Sequence, residues 1–414
     1  VNVYFGEAPA FTPNITECGN LTQADTTYYI QNNLQSSAGC LRVMANNITV
    51  EGQGYNIDFG SGEEYYVSAI RMMSNYSTIR NFTVNTTDPY CAGCQMGLYI
   101  DGTSNGKVYN NTIEYVSLNA VDAWAVGIDV EGDNHRISNA YVTNVDQYDL
   151  ITAWSNNVEF VNITINNSGA FEVLSPYAST NIIFRNIIEY NNTGGHDIFF
   201  WDDQNATNIS IIDSVLDAEI YIDDATSNLT VINTTYPSEQ IDWGYLERQW
   251  YATPKVVNYS DSPIESATVI INDTSGQVYS DTTNAQGFSP QTILTQYLNI
   301  SAVTTYKTPH IFNVQKSGYN QNITNFTIDQ SMTATVYLEV VADTCSYASG
   351  NWNVDCADDC SISSSVDIDS GYNISMTGSG TFTIQDGVQI RGWTYRYADQ
   401  TCYVKAFGSG GFFQ

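Results

Sequence analysis

An asparagine that returns in fixed company constrains this chain more than any other feature. Asn81, Asn110, Asn139, Asn162, Asn186, Asp213 and Asn233 each stand two residues after an apolar side chain, at intervals of 29, 29, 23, 24, 27 and 20 residues. Three positions later a second apolar residue follows at Val84, Ile113, Val142, Ile165, Leu216 and Tyr236, while Glu189 breaks the rule. Apolar pairs such as Leu98 with Ile100 and Ile198 with Phe200 precede each asparagine. A strand pattern repeating at this period marks a stacked solenoid. One coil cannot bury its own apolar side, so coils must pair through short parallel strands with the coils above and below. Asparagine tolerates the left-handed conformation a bend requires, and its amide can bond the asparagine above. The expected fold class is therefore all-β, with a right-handed parallel β-helix rising about 4.8 Å per coil. The seven polar residues are expected to form one unglycosylated ladder. A β-sandwich with asparagine-rich turns is the alternative, but it gives no reason for one polar residue to recur.

Over residues 40–236 this pattern resembles the pectin-lyase-like superfamily of right-handed β-helices. The resemblance implies the fold and leaves the function open, because that scaffold carries lyases, hydrolases, adhesins and structural parts. Four regions are expected: an N-terminal arm and cap (1–39), the β-helix (40–247), a β-sandwich (248–340) and a disulfide-rich C-terminal β region (341–414). The arm, beginning VNVYFGEAPAF, reads as a cap over its own rod or as a strand donated to a neighbour. The segment 237–250, with Arg248 among aromatics, is expected to seal the last coil. In the third region, Ala267, Val269, Ile271, Asp273, Gly276, Ala285 and Gly287 match the pattern of transthyretin-like, carboxypeptidase-regulatory-like sandwiches, which implies an Ig/transthyretin-like module serving as spacer or assembly unit. The strand-like runs of the C-terminal region resemble short repeats of archaeal surface glycoproteins.

The chain carries 13 Lys plus Arg against 44 Asp plus Glu, a formal charge of −31 that reflects scarce lysine more than abundant acid. Nucleic acid and anionic lipid both need a basic patch, so neither is an expected partner. No apolar run reaches the ~18 residues that cross a bilayer, and the absence of a leader makes Val1 read as a processed end. Twenty N-x-S/T sequons, well above chance, point to N-linked glycans and a secreted or cell-surface location. Four of them, at Asn81, Asn110, Asn162 and Asn233, coincide with the ladder and are expected bare. Glycans are then expected at Asn14, Asn20, Asn47, Asn75, Asn85, Asn166, Asn191, Asn205, Asn208, Asn228, Asn258, Asn272, Asn299, Asn322, Asn325 and Asn373. The eight cysteines suit disulfides in an oxidising space. Cys18 would pair with Cys40 and Cys91 with Cys94, while Cys345, Cys356, Cys360 and Cys402 allow three pairings. One C-x-x-C without a second pair makes zinc a poor fit.

Candidate chemistry is sparse. Asp146 and Asp149 in NVDQYD, His196 in GGHD, and Asp202 with Asp203 echo the paired aspartates and histidine of polygalacturonase-like hydrolases. Their order differs from that family's, no basic motif follows, and solvated bend aspartates are the simpler account. A lyase would need a base and cations for a uronate, yet the rod offers Lys107, Arg42, Arg71, Arg80, Arg136 and Arg185 alone. His135, His196 and His310 form no evident metal set. No cofactor is expected, although Asp101 with Asn105, or Asp367 with Asp369, could hold structural calcium. The sequence therefore reads as a non-enzymatic, glycosylated structural protein polymerising with its own copies into a filament, sheath or surface layer. An adhesin or glycan-binding protein is the alternative, with a polysaccharide hydrolase or lyase behind it.

Overall fold

In the computed structural model, residues 13–60, 67–86, 95–102, 108–122, 125–201, 204–341 and 344–413 are described. The N-terminal arm before residue 13 and the Cys91–Cys94 pair fall outside them. The first part is a right-handed, three-faced parallel β-solenoid. Val50, Ile79, Ile113, Ile137, Phe160, Phe184, Ile211 and Val231 stack in register on successive coils. All are fully buried, and the Phe160 and Phe184 rings stack at 5.1 Å. A face alternates inward apolar with outward polar residues, so each coil gains its core only from its neighbours.

All seven repeat residues adopt left-handed backbone, with φ between 47° and 61°. Asn162 donates its amide to Asn139 Oδ1 at 3.0 Å, Asn186 to Asn162 Oδ1 at 2.7 Å and Asn233 to Asp213 Oδ1 at 2.8 Å. Asn81 donates instead to Glu51 Oε1 at 2.9 Å. Asn110 departs from the single-ladder expectation. Ile113 pairs with both Ile79 and Ile137, so the bend between Asn81 and Asn139 belongs to Tyr115, whose φ is 54°. Asn110 stands on the neighbouring edge, beside Asp133, whose carbonyl accepts its N–H at 3.1 Å. The coil from Asn81 to Tyr115 is 34 residues long, and its extra length hides the register from a count of spacings. The other bends carry asparagine rungs as well: Asn157 to Asn134 at 2.7 Å, Asn144 to Asn119 at 2.8 Å and Asn191 to Asn166 at 3.0 Å.

The strand Glu239–Asn258 runs through the expected boundary near residue 247 without a break. Its first half completes the last coil, and Thr292–Ile300 pairs antiparallel along Tyr245–Ala252. Its second half pairs with Met332–Leu338. Facing these strands is a four-stranded antiparallel sheet, Gly276–Thr282, Thr268–Asp273, His310–Gln315 and Asn322–Phe326. The two sheets enclose Trp250, Val256, Val269, Ile271, Phe312 and Val336.

The C-terminal region is a second, shorter parallel solenoid. Trp352, Ile374 and Arg396 pair in register at 22-residue intervals, and two further three-stranded parallel sheets complete its faces. Cys356–Cys402 ties its first coil to its last, Cys345–Cys360 holds its entry, and Cys18–Cys40 joins adjacent coils at the start of the long rod.

Candidate active site

One outward row runs along the first face of the rod. Register carries it from Arg42 through Arg71, Tyr99, Asp129 and Ile151 to Ser175, and the next two strands contribute Phe199 paired with Tyr221. Seven coil steps span about 34 Å. Tyr99 and Asp129 stand between inward residues, Leu98 and Ile100, Ile128 and Val130, all fully buried, and this alternation turns the row outward.

Three carboxylates meet where the row crosses the third and fourth of these coils. Asp101, fully buried, accepts from Arg71 Nε at 2.8 Å and Nη2 at 2.5 Å. Tyr99 hydroxyl approaches its other oxygen at 3.4 Å, and the Arg71 guanidinium lies 5.4 Å from the Tyr99 ring. Glu131 accepts from the Gly102 N–H at 3.1 Å. That approach needs glycine, because a Cβ there would fall 2.9 Å from the Glu131 carbonyl carbon. Asp129 lies two residues before Glu131 on one strand, and the pairing of Ile100 with Val130 brings Asp101 alongside Glu131. Asp129 is only 7% exposed, and its Oδ1 is buried without a hydrogen-bond partner. Burial first, then the charges of Glu131 and Asp101, push its carboxyl well above the usual range. Arg71 pairs with Asp101, while burial favours the protonated form of Asp129. A protonated acid beside ionised carboxylates is the minimum equipment for acid–base cleavage of a glycosidic bond.

Further along the row lies an aromatic platform. Phe199 meets Trp201 at 4.1 Å, Tyr221 at 4.6 Å and His196 at 4.8 Å, and Phe171 meets Trp201 at 5.5 Å. The Trp201 indole N–H donates to Glu172, whose pKa burial raises, and His196 Nδ1 stands 3.6 Å from Glu219. Phe171 and Trp201 are both 43% exposed, enough for a sugar ring to stack on them.

The sequence-derived candidates scatter. Asp146 is exposed, whereas Asp149 is no solvated bend residue: it is fully buried, accepts from Ser168 Oγ at 2.5 Å and is pushed to about 8 by burial. His196 joins the aromatic platform, and Asp202 and Asp203 lie outside the described residues. His135 and His310 are buried singly. Lys107 and Asn105 also lie outside the described residues, while Asp101 is bound by Arg71. Asp369 accepts from the Tyr347 hydroxyl at 3.0 Å. Arg80 pairs with Glu51 and Glu114, Arg136 with Glu159, and Arg185 lies 3.8 Å from Asp213. Arg248 lies over the Tyr236 and Trp250 rings.

Among the asparagines assigned to glycans, Asn299 is buried between two strands at 9% exposure and has no room for a sugar. Asn47, Asn85, Asn166, Asn191, Asn208 and Asn322 each spend the side-chain amide on a hydrogen bond within the protein. The argument that excludes glycans from ladder rungs therefore reaches Asn166, Asn191 and Asn208. Asp129 and Glu131 escaped the sequence reading. Their signal was alternating carboxylates, Asp129, Glu131 and Asp133, in a strand that begins apolar, VGIDVEGD.

No protein-family model matches the chain. It is 30% identical over 183 residues to a putative rhamnogalacturonase D of Aspergillus niger, covering 44% of this chain and 37% of the relative. It is 39% identical over 95 residues to a probable rhamnogalacturonase E of Aspergillus oryzae, covering 22% of this chain and 21% of the relative. The chain thus spans about a third or less of the curated relatives it matches. The A-module of the Azotobacter vinelandii mannuronan C-5 epimerase overlaps 92% of the chain and 89% of its own length, but at a TM-score of 0.35 and 12% identity the superposition is too loose to bear on fold or function.

These relatives overturn the reading as a non-enzymatic protein built for filament, sheath, surface layer or adhesion. They are polysaccharide-acting enzymes and share sequence with 44% of the chain in one case. The archaeal surface-glycoprotein likeness and the transthyretin-like likeness find no support in them. Among the described residues no helix is long and apolar enough to cross a membrane.

Proposed function

We propose that the chain is a carbohydrate-active enzyme that hydrolyses an acidic, uronate-containing polysaccharide of the rhamnogalacturonan kind, laid along the outward row of the first face. The observation that carries this reading is Asp129, a buried carboxyl with an unpartnered oxygen, its pKa pushed up by burial and by the charges of Glu131 and Asp101. Asp129 donates its proton to the glycosidic oxygen as that bond breaks. Glu131 takes a proton from a water that adds to the anomeric carbon, so one water is consumed per bond and both protons are accounted for. Asp129 and Glu131 are two positions apart on one strand, about 6.7 Å between backbones, which leaves space for that water. Arg42, exposed at one end of the row, answers the uronate charge, and Phe171 and Trp201 at the other stack on sugar faces. The scarcity of cations elsewhere confines acidic substrate to this end. An extracellular setting with glycans on exposed sequons such as Asn14, Asn20 and Asn205 accords with a polymeric substrate.

The test is reducing-end release from rhamnogalacturonan and homogalacturonan by the full chain and by Asp129→Asn. Activity on either polymer that the substitution removes supports the reading, with an alkaline limb in kcat/KM as Asp129 loses its proton. A wild-type chain inert on both, or an unimpaired variant, overturns it.

A further inference from the structure

A second group of carboxylates lies at the corner where the third face turns into the first, at the start of the strand that carries Phe199. Glu189 ends the strand Thr180–Tyr190, Asp197 lies in His196–Phe200 of the same coil, and Asp217 comes from the next coil, just before Glu219–Ile232. The turn between the first two is NNTGG. Gly194 lets it fold tightly, since a Cβ there would lie 1.6 Å from the Ala170 carbonyl oxygen. Glu189 is 2% exposed and Asp197 fully buried.

Each carboxylate has one oxygen anchored. Asn192 Nδ2 donates to Glu189 Oε1 at 2.8 Å, the Asn192 N–H to Asp217 Oδ2 at 3.0 Å, and the Ala218 N–H to Asp197 Oδ2 at 2.8 Å. The other oxygen of each, Glu189 Oε2, Asp197 Oδ1 and Asp217 Oδ1, is buried without a hydrogen-bond partner. One ligand oxygen from each residue lies within 4.8 Å of the others. No arginine or lysine pairs with any of the three among the described residues. Three carboxylates facing one another repel unless a cation, or a proton shared by two of them, sits between them.

We infer that Glu189, Asp197 and Asp217 bind one calcium ion, which clamps two successive coils together at this corner. Oxygen ligands exclude a soft metal. A sphere of calcium–oxygen radius about 2.4 Å accommodates ligand oxygens up to about 4.8 Å apart. Magnesium demands a tighter octahedron and retains its waters, so three fixed carboxylates from two coils suit it less well. The other metal-spaced group among the described residues, Cys345, Asp358 and Cys360, is already spent on a disulfide. The calcium site shares no residue with the outward row and stands whether or not the chain cleaves polysaccharide.

The experiment uses the full chain stripped with chelator, titrated with calcium chloride and, in parallel, with magnesium chloride. One calcium per chain is expected by equilibrium dialysis, with the melting midpoint raised by about 3 °C or more at saturation. Magnesium should bind at least about tenfold more weakly. Glu189→Gln and Asp197→Asn should each weaken calcium binding about 100-fold, while Asp129→Asn leaves it unchanged. Absence of saturable binding, equal binding of magnesium, or undiminished binding in both corner variants overturns the assignment. Should the corner variants fail to fold, anomalous scattering from calcium-soaked wild-type crystals decides: a peak among the three carboxylates supports the site, and its absence there overturns it.

Discussion

The rod contains two triads of carboxylates built on opposite plans. Asp101, Asp129 and Glu131 lie on the outward row with a resident cation, Arg71, bonded to one member at 2.8 and 2.5 Å. Glu189, Asp197 and Asp217 lie at an inner corner, and no arginine or lysine among the described residues pairs with them. The difference lies in which group is left to hold a proton. Arg71 pairs with Asp101, while burial favours a proton on Asp129, a division of labour suited to chemistry. At the corner all three offer an oxygen to the same point, an arrangement suited to binding an ion.

Substitutions can separate the two plans. Asp129→Asn should lower kcat/KM by about 10³-fold, measured on rhamnogalacturonan, while its melting midpoint stays near wild type because a neutral amide replaces a carboxyl whose protonated form burial already favours. A comparable fall in stability would mean that the outer triad is structural like the corner. Arg71→Met removes the guanidinium that pairs with the buried carboxylate of Asp101. Chemical denaturation should register a loss of about 3 kcal/mol, with activity falling too as Asp129 and Asp101 compete for one proton.

Acid should strain the coil that bears the outer triad. His135 is 2% exposed, and its Nδ1 accepts the Asn111 N–H at 3.1 Å. Burial lowers its pKa from 6.5 to about 4. A histidine depressed in the fold contributes stability that is fully present above pH 6.5 and is lost as pH falls toward 4. The loss should reach about 3 kcal/mol, and His135→Gln should flatten that part of a denaturation-versus-pH series. The smallest effect concerns the bends. Asn162→Ala should cost about 1 to 2 kcal/mol for left-handed backbone and lost rungs. Asn162→Gly, which keeps the backbone at ease, should cost less; equal losses would assign the stability to the amide ladder alone.

The two solenoids show how much was legible in the sequence. In the long rod, Ile137, Phe160 and Phe184 precede Asn139, Asn162 and Asn186 by two residues at intervals of 23 and 24, and regular coils of this kind disclose themselves. The same reading failed at Asn110, where a longer coil carried the bend to Tyr115. It also missed the C-terminal solenoid, whose 22-residue coils repeat too few times and lack a recurring asparagine. Small coils bury little, and there Cys356–Cys402 supplies the tie between first and last coil that core packing gives the rod.

The candidate site was scarcely legible. Asp101 and Asp129 are 28 residues apart and become neighbours only because Tyr99 and Asp129 share a rung. Asp146 and Asp149, adjacent in sequence, part company, one exposed and the other fully buried.

By itself the sequence determined a stack of parallel coils with left-handed asparagine bends, because side-chain alternation and the backbone freedom of asparagine are local properties. Tertiary structure alone decided which carboxylates meet and which of them pairs with a cation. Coil length varies, register accumulates every insertion, and an electrostatic environment exists only once the coils are in register.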